Sequence, residues 1–425
     1  MKQKLITIIL TLIAVLSPLI IMPEKYYPNY NILKFITLLV GGAILLILLL
    51  SSYKTLQIDK KDILLLIFLI LIIISTFLSN NIKKSIIGEE NRYEGLLMFG
   101  VYTCIYLCSK KYFKYQQINK FLNIMFYISV VIGILGILQR HIKYVDLYPI
   151  FNKGICSTFG NSNFFGSYIS IILPISLSIF ILYGNKKSFI LSILMFFNMI
   201  SSGTRSAWVA FAVVSLIGII YLIKQKNKNY FKRVGVILFV FVVIFIYLFN
   251  GWNIIPKKST NYTEIKVNQI VKEVKQLKDT GISKKMGSSR IEIWTITLEL
   301  IKKKPLLGCG TDNIKEGLLK NCTEEAYQFI KRSNVIIDKV HNEYLQIAAT
   351  IGIPALIIYL IFIILVLIPK IKLAKNNKIY FIISLTIISY LAQAFFNIST
   401  IGIAPLFWML LGLSDNKELL EKLNN

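Results

Sequence analysis

Val340-His341-Asn342-Glu343-Tyr344-Leu345 closes the one long hydrophilic segment of this chain and opens an apolar run from Gln346 to Pro369. A helix needs about 20 apolar residues to cross a hydrocarbon core, so the stretch marks a junction between water and lipid. One of only two histidines among 425 residues, His341, sits there beside polar neighbours. A side chain titrating near neutrality at such a boundary is a candidate for proton transfer; read more plainly, it is an interfacial residue capping a helix.

Working outward, runs of the same kind recur along the whole chain. About twelve can be placed, at 5–22, 32–50, 62–79, 96–109, 121–138, 164–183, 188–202, 206–223, 234–250, 346–369, 379–396 and 403–413. With 55% apolar residues and a positive mean hydropathy, the sequence predicts an all-α polytopic membrane protein with about 12 transmembrane helices. The net charge of +27 does not gather in one patch. Its lysines come in short clusters between apolar runs, which is the pattern of topology rather than of a nucleic-acid surface, so the membrane is an expected partner and nucleic acid is not.

Lys60 and Lys61, Lys110 and Lys111, Lys186 and Lys187, Lys224 to Arg233, and Lys370 to Lys378 all fall in alternate loops. The positive-inside rule makes that set cytoplasmic, together with both termini; Lys83 and Lys84 are the exception. The expected organisation is a bundle of about nine spans at 1–250, an extracytoplasmic loop domain at 251–345, three further spans at 346–413 and a cytoplasmic tail at 414–425. Within the loop, Ile270, Val271, Val274 and Leu277 keep helical spacing in a lysine-rich background. Lys2 and Lys4 imitate a signal peptide, but the run they precede ends at Pro23 without a small-residue cleavage site and reads as a span. Cys104 and Cys108 read as core, and a Cys309–Cys322 disulfide is open only on an oxidising side.

The chemistry-bearing residues gather in the loops opposite the lysines. Ser289-Arg290-Ile291-Glu292 has capping-box spacing and predicts a helix stopped by Lys302, Lys303, Lys304 and Pro305. Arg290 in its first turn opposes the macrodipole unless an anion sits there too. Ser202-Gly203-Thr204-Arg205 repeats the arrangement, with Thr204 read as an N-cap and Arg205 just inside; snorkelling to headgroups is the plainer reading of Arg205. Gly160-Asn161-Ser162-Asn163 opens another span with cap residues, and Gly88-Glu89-Glu90-Asn91-Arg92-Tyr93-Glu94-Gly95 does the same before the fourth. Pro305 to Asn313 is a glycine turn that lacks the lysine of a P-loop. No metal spacing occurs, and no cofactor is expected. Several helix N-termini thus present positive ends to one surface with Arg92, Arg205, Arg290 and His341, a suitable arrangement for a phosphate-rich ligand.

These motifs, in this order, resemble the O-antigen ligase and polymerase superfamily of bacterial membrane glycosyltransferases. The resemblance rests on Gly160-Asn161-Ser162-Asn163, Ser202 to Trp208, Ser289-Arg290 with Trp294, Lys304 to Thr311 and His341 to Gln346. It implies metal- and nucleotide-independent transfer or polymerisation of a glycan from an undecaprenyl diphosphate carrier. The implied acceptor is a glycan, lipid or protein at the outer face of the cytoplasmic membrane, with polymerase favoured over ligase. By this matching Arg205 and Arg290 grip the diphosphate and His341 assists the acceptor hydroxyl. Arg92, Asn161, Asn163, Asn342 and Glu343 are expected to contact substrate, Glu343 being also the competing base. A multi-span transporter or flippase is the alternative; against it, charged residues lie only at the ends of the spans and no internal repeat is visible.

Overall fold

The computed structural model describes residues 2–22, 29–52, 57–141, 155–249, 289–321, 324–333 and 336–424. Among them every regular element is a helix: α1 (Lys2–Leu19), α2 (Ile32–Leu50), α3 (Lys60–Phe77), α4 (Ile82–Ile87), α5 (Leu96–Tyr112), α6 (Tyr115–His141), α7 (Ser162–Tyr183), α8 (Lys186–Ser202), α9 (Arg205–Gln225), α10 (Lys228–Phe249), α11 (Arg290–Lys303), α12 (Ile314–Lys320), α13 (Glu324–Ser333), α14 (Glu343–Thr350), α15 (Ile353–Leu373), α16 (Lys378–Ala394), α17 (Ala404–Ser414) and α18 (Lys417–Asn424). Helix covers each of the apolar stretches of the sequence, and seven of these helices are long and apolar enough to cross a membrane by length and composition. The chain is a multi-pass membrane protein.

Helix boundaries follow local chemistry. Asp59 caps α3 reciprocally with Asp62, and Asn161, Asn185 and Asn377 cap α7, α8 and α16 with their side-chain oxygens. α7 lies at the centre, packed by α8, α9 and α16, and is mostly buried, whereas most of α10 is not covered by the rest of the protein. On the other side α5 is held between α2 and α17, and α15 packs on α3. At the lysine-bearing end, the tips of α3, α5, α15 and α17 are tied by ion pairs. Lys110 reaches Asp59 and Asp62 at 2.7 Å and Asp415 at 3.2 Å; Lys370 meets Asp415 at 3.1 Å, Lys111 meets Asp62 at 3.1 Å, and Lys61 also pairs with Asp415.

The run 346–369 is not one helix, contrary to the sequence expectation. α14 begins at Glu343 and ends at Thr350, and α15 restarts at Ile353. Gly352 has φ 105°, and a Cβ there would lie 2.0 Å from the carbonyl oxygen of Leu306, so only glycine fits. The turn expected at 305–313 docks into the break. Ile353 N–H donates to Pro305 O (2.8 Å), while Cys309 and Gly310 N–H donate to Ala349 O (3.0 Å) and Thr350 O (2.8 Å). The hydroxyl of Ser75 donates to Leu307 O and Thr350 O. Carbonyls orphaned at the end of α14 thus find partners on a distant segment.

Of the expected loop domain, α11, α12 and α13 are described. The 270–277 stretch and Cys322, hence any Cys309 pairing, lie outside the described residues; Cys104 and Cys108 are buried.

Candidate functional site

Five segments far apart in sequence meet at the end of the bundle opposite the lysine ties. The turn between α8 and α9 is fixed on α7: the hydroxyl of Thr204 donates to Ser162 O at 2.7 Å and accepts from Ser202 Oγ at 3.2 Å. Thr204 therefore occupies the N-cap position without capping through its side chain, unlike the sequence expectation. Gly166 makes this possible, since a Cβ there would stand 2.3 Å from the Thr204 methyl. Arg205, the first residue of α9, is consequently held beside the N-terminus of α7. There Asn161 Oδ1 accepts from Asn163 N (2.8 Å), and Asn163 O accepts from Asn397 Nδ2 (3.0 Å).

α11 brings Arg290. The capping box expected at its start does not form: Ser289 adopts φ 62° with no side-chain cap, and Glu292 accepts instead from Arg332 Nη2 at 2.5 Å. Trp294 Nε1 donates to Val340 O at 3.1 Å, and its ring contacts Phe395 and Phe396, which lays α11 against the 338–343 segment.

That segment is pinned residue by residue. Arg92 binds Asp338 Oδ2 through Nε (3.3 Å) and Nη2 (2.9 Å) and lies over the Phe164 ring. Lys339 pairs with Asp312, Val340 N donates to Gln346 Oε1 (3.0 Å), and Asn342 Oδ1 accepts from Leu345 N (3.0 Å), capping α14. Between them His341 takes φ 55°, a conformation that non-glycine residues rarely adopt outside constrained sites, and its buried Nδ1 has no hydrogen-bond partner among the described residues.

The electrostatics are those of a cation cluster. Burial, then the neighbouring guanidinium of Arg205, lowers the Arg290 pKa to about 10. Burial, then Arg290, lowers His341 to about 4, with Arg92 and Lys339 adding and Asp338 opposing. His341 is therefore neutral at physiological pH, and Arg290 makes no ion pair with a carboxylate among the described residues. Such an arrangement attracts an anion with several acceptor oxygens and sets an unprotonated imidazole beside it.

Residues 190–360, which include Arg205, Arg290 and His341, match the family model described as O-antigen ligase. That stretch is similar to the O-antigen ligase family. The motif resemblance to the O-antigen ligase and polymerase superfamily thereby has support over this stretch. No curated protein matches the chain.

The residues singled out in the sequence divide in two. Arg205, Arg290 and His341 come together, with Arg92 in electrostatic reach of His341. The other expected substrate contacts have protein partners. Asn161 and Asn342 act as helix caps, Asn163 has its backbone engaged, and Arg92 is taken by Asp338. Glu343 is buried, and both its oxygens accept phenol hydrogens, from Tyr359 and Tyr390 at 3.1 Å each, which leaves it poorly placed as a competing base. Sequence reasoning missed Asp312, whose carboxylate accepts from Glu89 N (2.8 Å) and Glu94 N (3.3 Å) and pairs with Lys339. It sits in the quoted glycine turn at φ 58°, but nothing in its spacing announces that it ties three segments together.

Proposed function

We propose that this protein transfers glycan from an undecaprenyl diphosphate carrier to an acceptor hydroxyl at the outer face of the cytoplasmic membrane, polymerisation being favoured over ligation. The observation that carries this reading is the pair of adjacent guanidiniums, Arg205 and Arg290, next to a neutral His341. In the proposed step the acceptor oxygen attacks the anomeric carbon and the bond from that carbon to the diphosphate oxygen breaks. The electron pair leaves on the diphosphate, whose growing charge the guanidiniums and the α7 and α9 N-termini stabilise. The acceptor proton passes to His341. A pKa of about 4 makes the imidazole a weak base in the empty site. A bound diphosphate offsets the surrounding cations and raises its basicity as substrate arrives. In this reading the arginines take the charge-neutralising part, and no metal or nucleotide is required.

The finer topology belongs to the same proposal: about twelve spans, the lysine end and both termini in the cytoplasm, residues 251–345 outside as a loop domain between a bundle at 1–250 and three spans at 346–413, and a cytoplasmic tail at 414–425. Asn161, Asn163, Asn342 and Glu343 then position the site, and Arg92 orients the His341 segment through Asp338. The test is incubation of purified protein with carrier-linked repeat units alone. A ladder of longer chains supports polymerisation, product that appears only after a second acceptor is added assigns a ligase, and carrier moved across vesicles with no new glycosidic bond overturns the transferase in favour of a flippase.

A further inference from the structure

Behind the 338–343 segment lies a second polar space that the proposed transfer does not use. A cavity of about 40 Å³ is lined by Glu94, Asp312, Lys339, Glu343, Gln346 and Tyr359, with room for a water molecule or two. Three carboxyl groups and one ammonium border it, and that ammonium is already paired, Lys339 with Asp312. Glu94, from the loop before α5, shares that one ammonium with Asp312, and Glu343, from the first turn of α14, faces the space with no cation acting on it among the described residues. Phenols close in from three helices: Tyr102 of α5 donates to Glu94 Oε1 at 2.6 Å, and Tyr359 of α15 and Tyr390 of α16 donate to Glu343. Ser399, from the turn before α17, adds a neutral hydroxyl near Glu94. Among the described residues no other charged group lines the cavity.

Two carboxylates cannot both stay ionised in so enclosed a site without a large penalty, and sharing one proton removes it. We infer that Glu94 and Glu343 hold a single proton between them, and that this proton latches the 88–95 loop, which carries Arg92, to the 338–343 segment, which carries His341. Glu94 and Glu343 are positioning residues in this account. They touch no substrate, and the inference rests on the transferase reading only where activity is the readout. Burial, and for Glu343 next the charge of Glu94, pushes both carboxyls up, Glu343 to about 7. The sign follows: an opened seam returns Glu343 to ordinary carboxylate behaviour near 4.5, so the closed form is favoured most at acid pH. Its advantage is lost as pH rises from there to about 7 and is constant above.

The test is hydrogen exchange of the 88–95 amides in the full-length protein in nanodiscs, from pH 5 to 9 and corrected for intrinsic exchange. A His341→Gln background removes the titration of opposite sign. Protection is expected to fall by up to about tenfold per pH unit below pH 7 and then level off, as for one linked proton. Glu94→Gln and Glu343→Gln each supply a permanently neutral partner and should flatten the profile, while Glu299→Gln, on the exposed part of α11, should not. A flat profile in the parent, or an unchanged slope in both glutamine variants, overturns the inference. If Glu343→Gln does not fold, Glu94→Gln alone decides. Because exchange is read without substrate, a protein that transfers no glycan still tests the latch, and a flat profile in an active transferase removes the latch alone.

Discussion

The two ends of the bundle both concentrate charge, and they handle it in opposite ways. At the lysine end Lys61, Lys110, Lys111 and Lys370 are interleaved with Asp59, Asp62 and Asp415, so that each cation touches an anion and four helix tips are bound together. At the other end Arg205 and Arg290 lie side by side, and His341 is kept neutral by burial and then by the charge of Arg290. Matched charges complete themselves and hold a fold. Like charges set side by side raise the energy of the empty site and are compensated when an anion enters, which is how a binding site differs from a strut.

Replacement of His341 by Ala is the sharpest way to break this contrast. It is expected to lower transfer by about 10²- to 10⁴-fold while leaving carrier affinity nearly unchanged, since a proton acceptor acts in the transition state. Loss of carrier binding instead would make His341 a ligand contact. Its depressed pKa also has a stability sign: the unfolded chain takes up the proton first, so His341 lowers stability as pH falls from about 6.5 towards 4, measurable as a parental midpoint shift absent in His341→Gln.

Lys110→Met takes from Asp59 its close cation and leaves Asp62 with Lys111 alone at the opposite end. A loss of about 1–3 kcal/mol of stability is expected in detergent unfolding, with per-molecule transfer preserved in whatever remains folded. Normal stability with lost transfer would erase the distinction between the two ends. Arg290→Ala should do the reverse, leaving unfolding unaffected or improved while transfer drops by about 10²- to 10³-fold, as for removal of one preorganised donor to a developing anion. Arg290→Lys recovers little, because a point charge lacks the bidentate fork. The smallest effect is expected from Asn161→Ala, about 1 kcal/mol of stability through the lost α7 cap, with a shift in KM rather than kcat. A collapse of kcat would promote Asn161 from cap to substrate contact.

The helical stretches were readable in the sequence because lipid imposes long uncharged runs, and the cation cluster was readable because Arg205 and Arg290 stand where a helix dipole disfavours them. What escaped was set by tertiary partners. The break after Thr350 depends on Leu306 and Pro305 arriving from elsewhere, and within Gln346 to Pro369 only Gly352 and Pro354 hint at it. Ser289 and Glu292 have the letters of a capping box, but Arg332 claims the carboxylate. Glu343 looked available because it stands beside His341; Tyr359 and Tyr390, on helices further along, turn it inward.

The pinning of the 338–343 segment has a consequence for the time course of synthesis. Its anchors come from Arg92 and Asp312, already translated, and from Tyr390 and Leu391, which emerge dozens of residues after His341. At ribosomal speeds of about 5–20 residues per second, a nascent chain has its arginines for several seconds before its histidine segment can be locked. Because α11 itself rests on Val340, Phe395 and Phe396, the arginine pair and the histidine segment fall into place together, and only once α16 has joined the bundle.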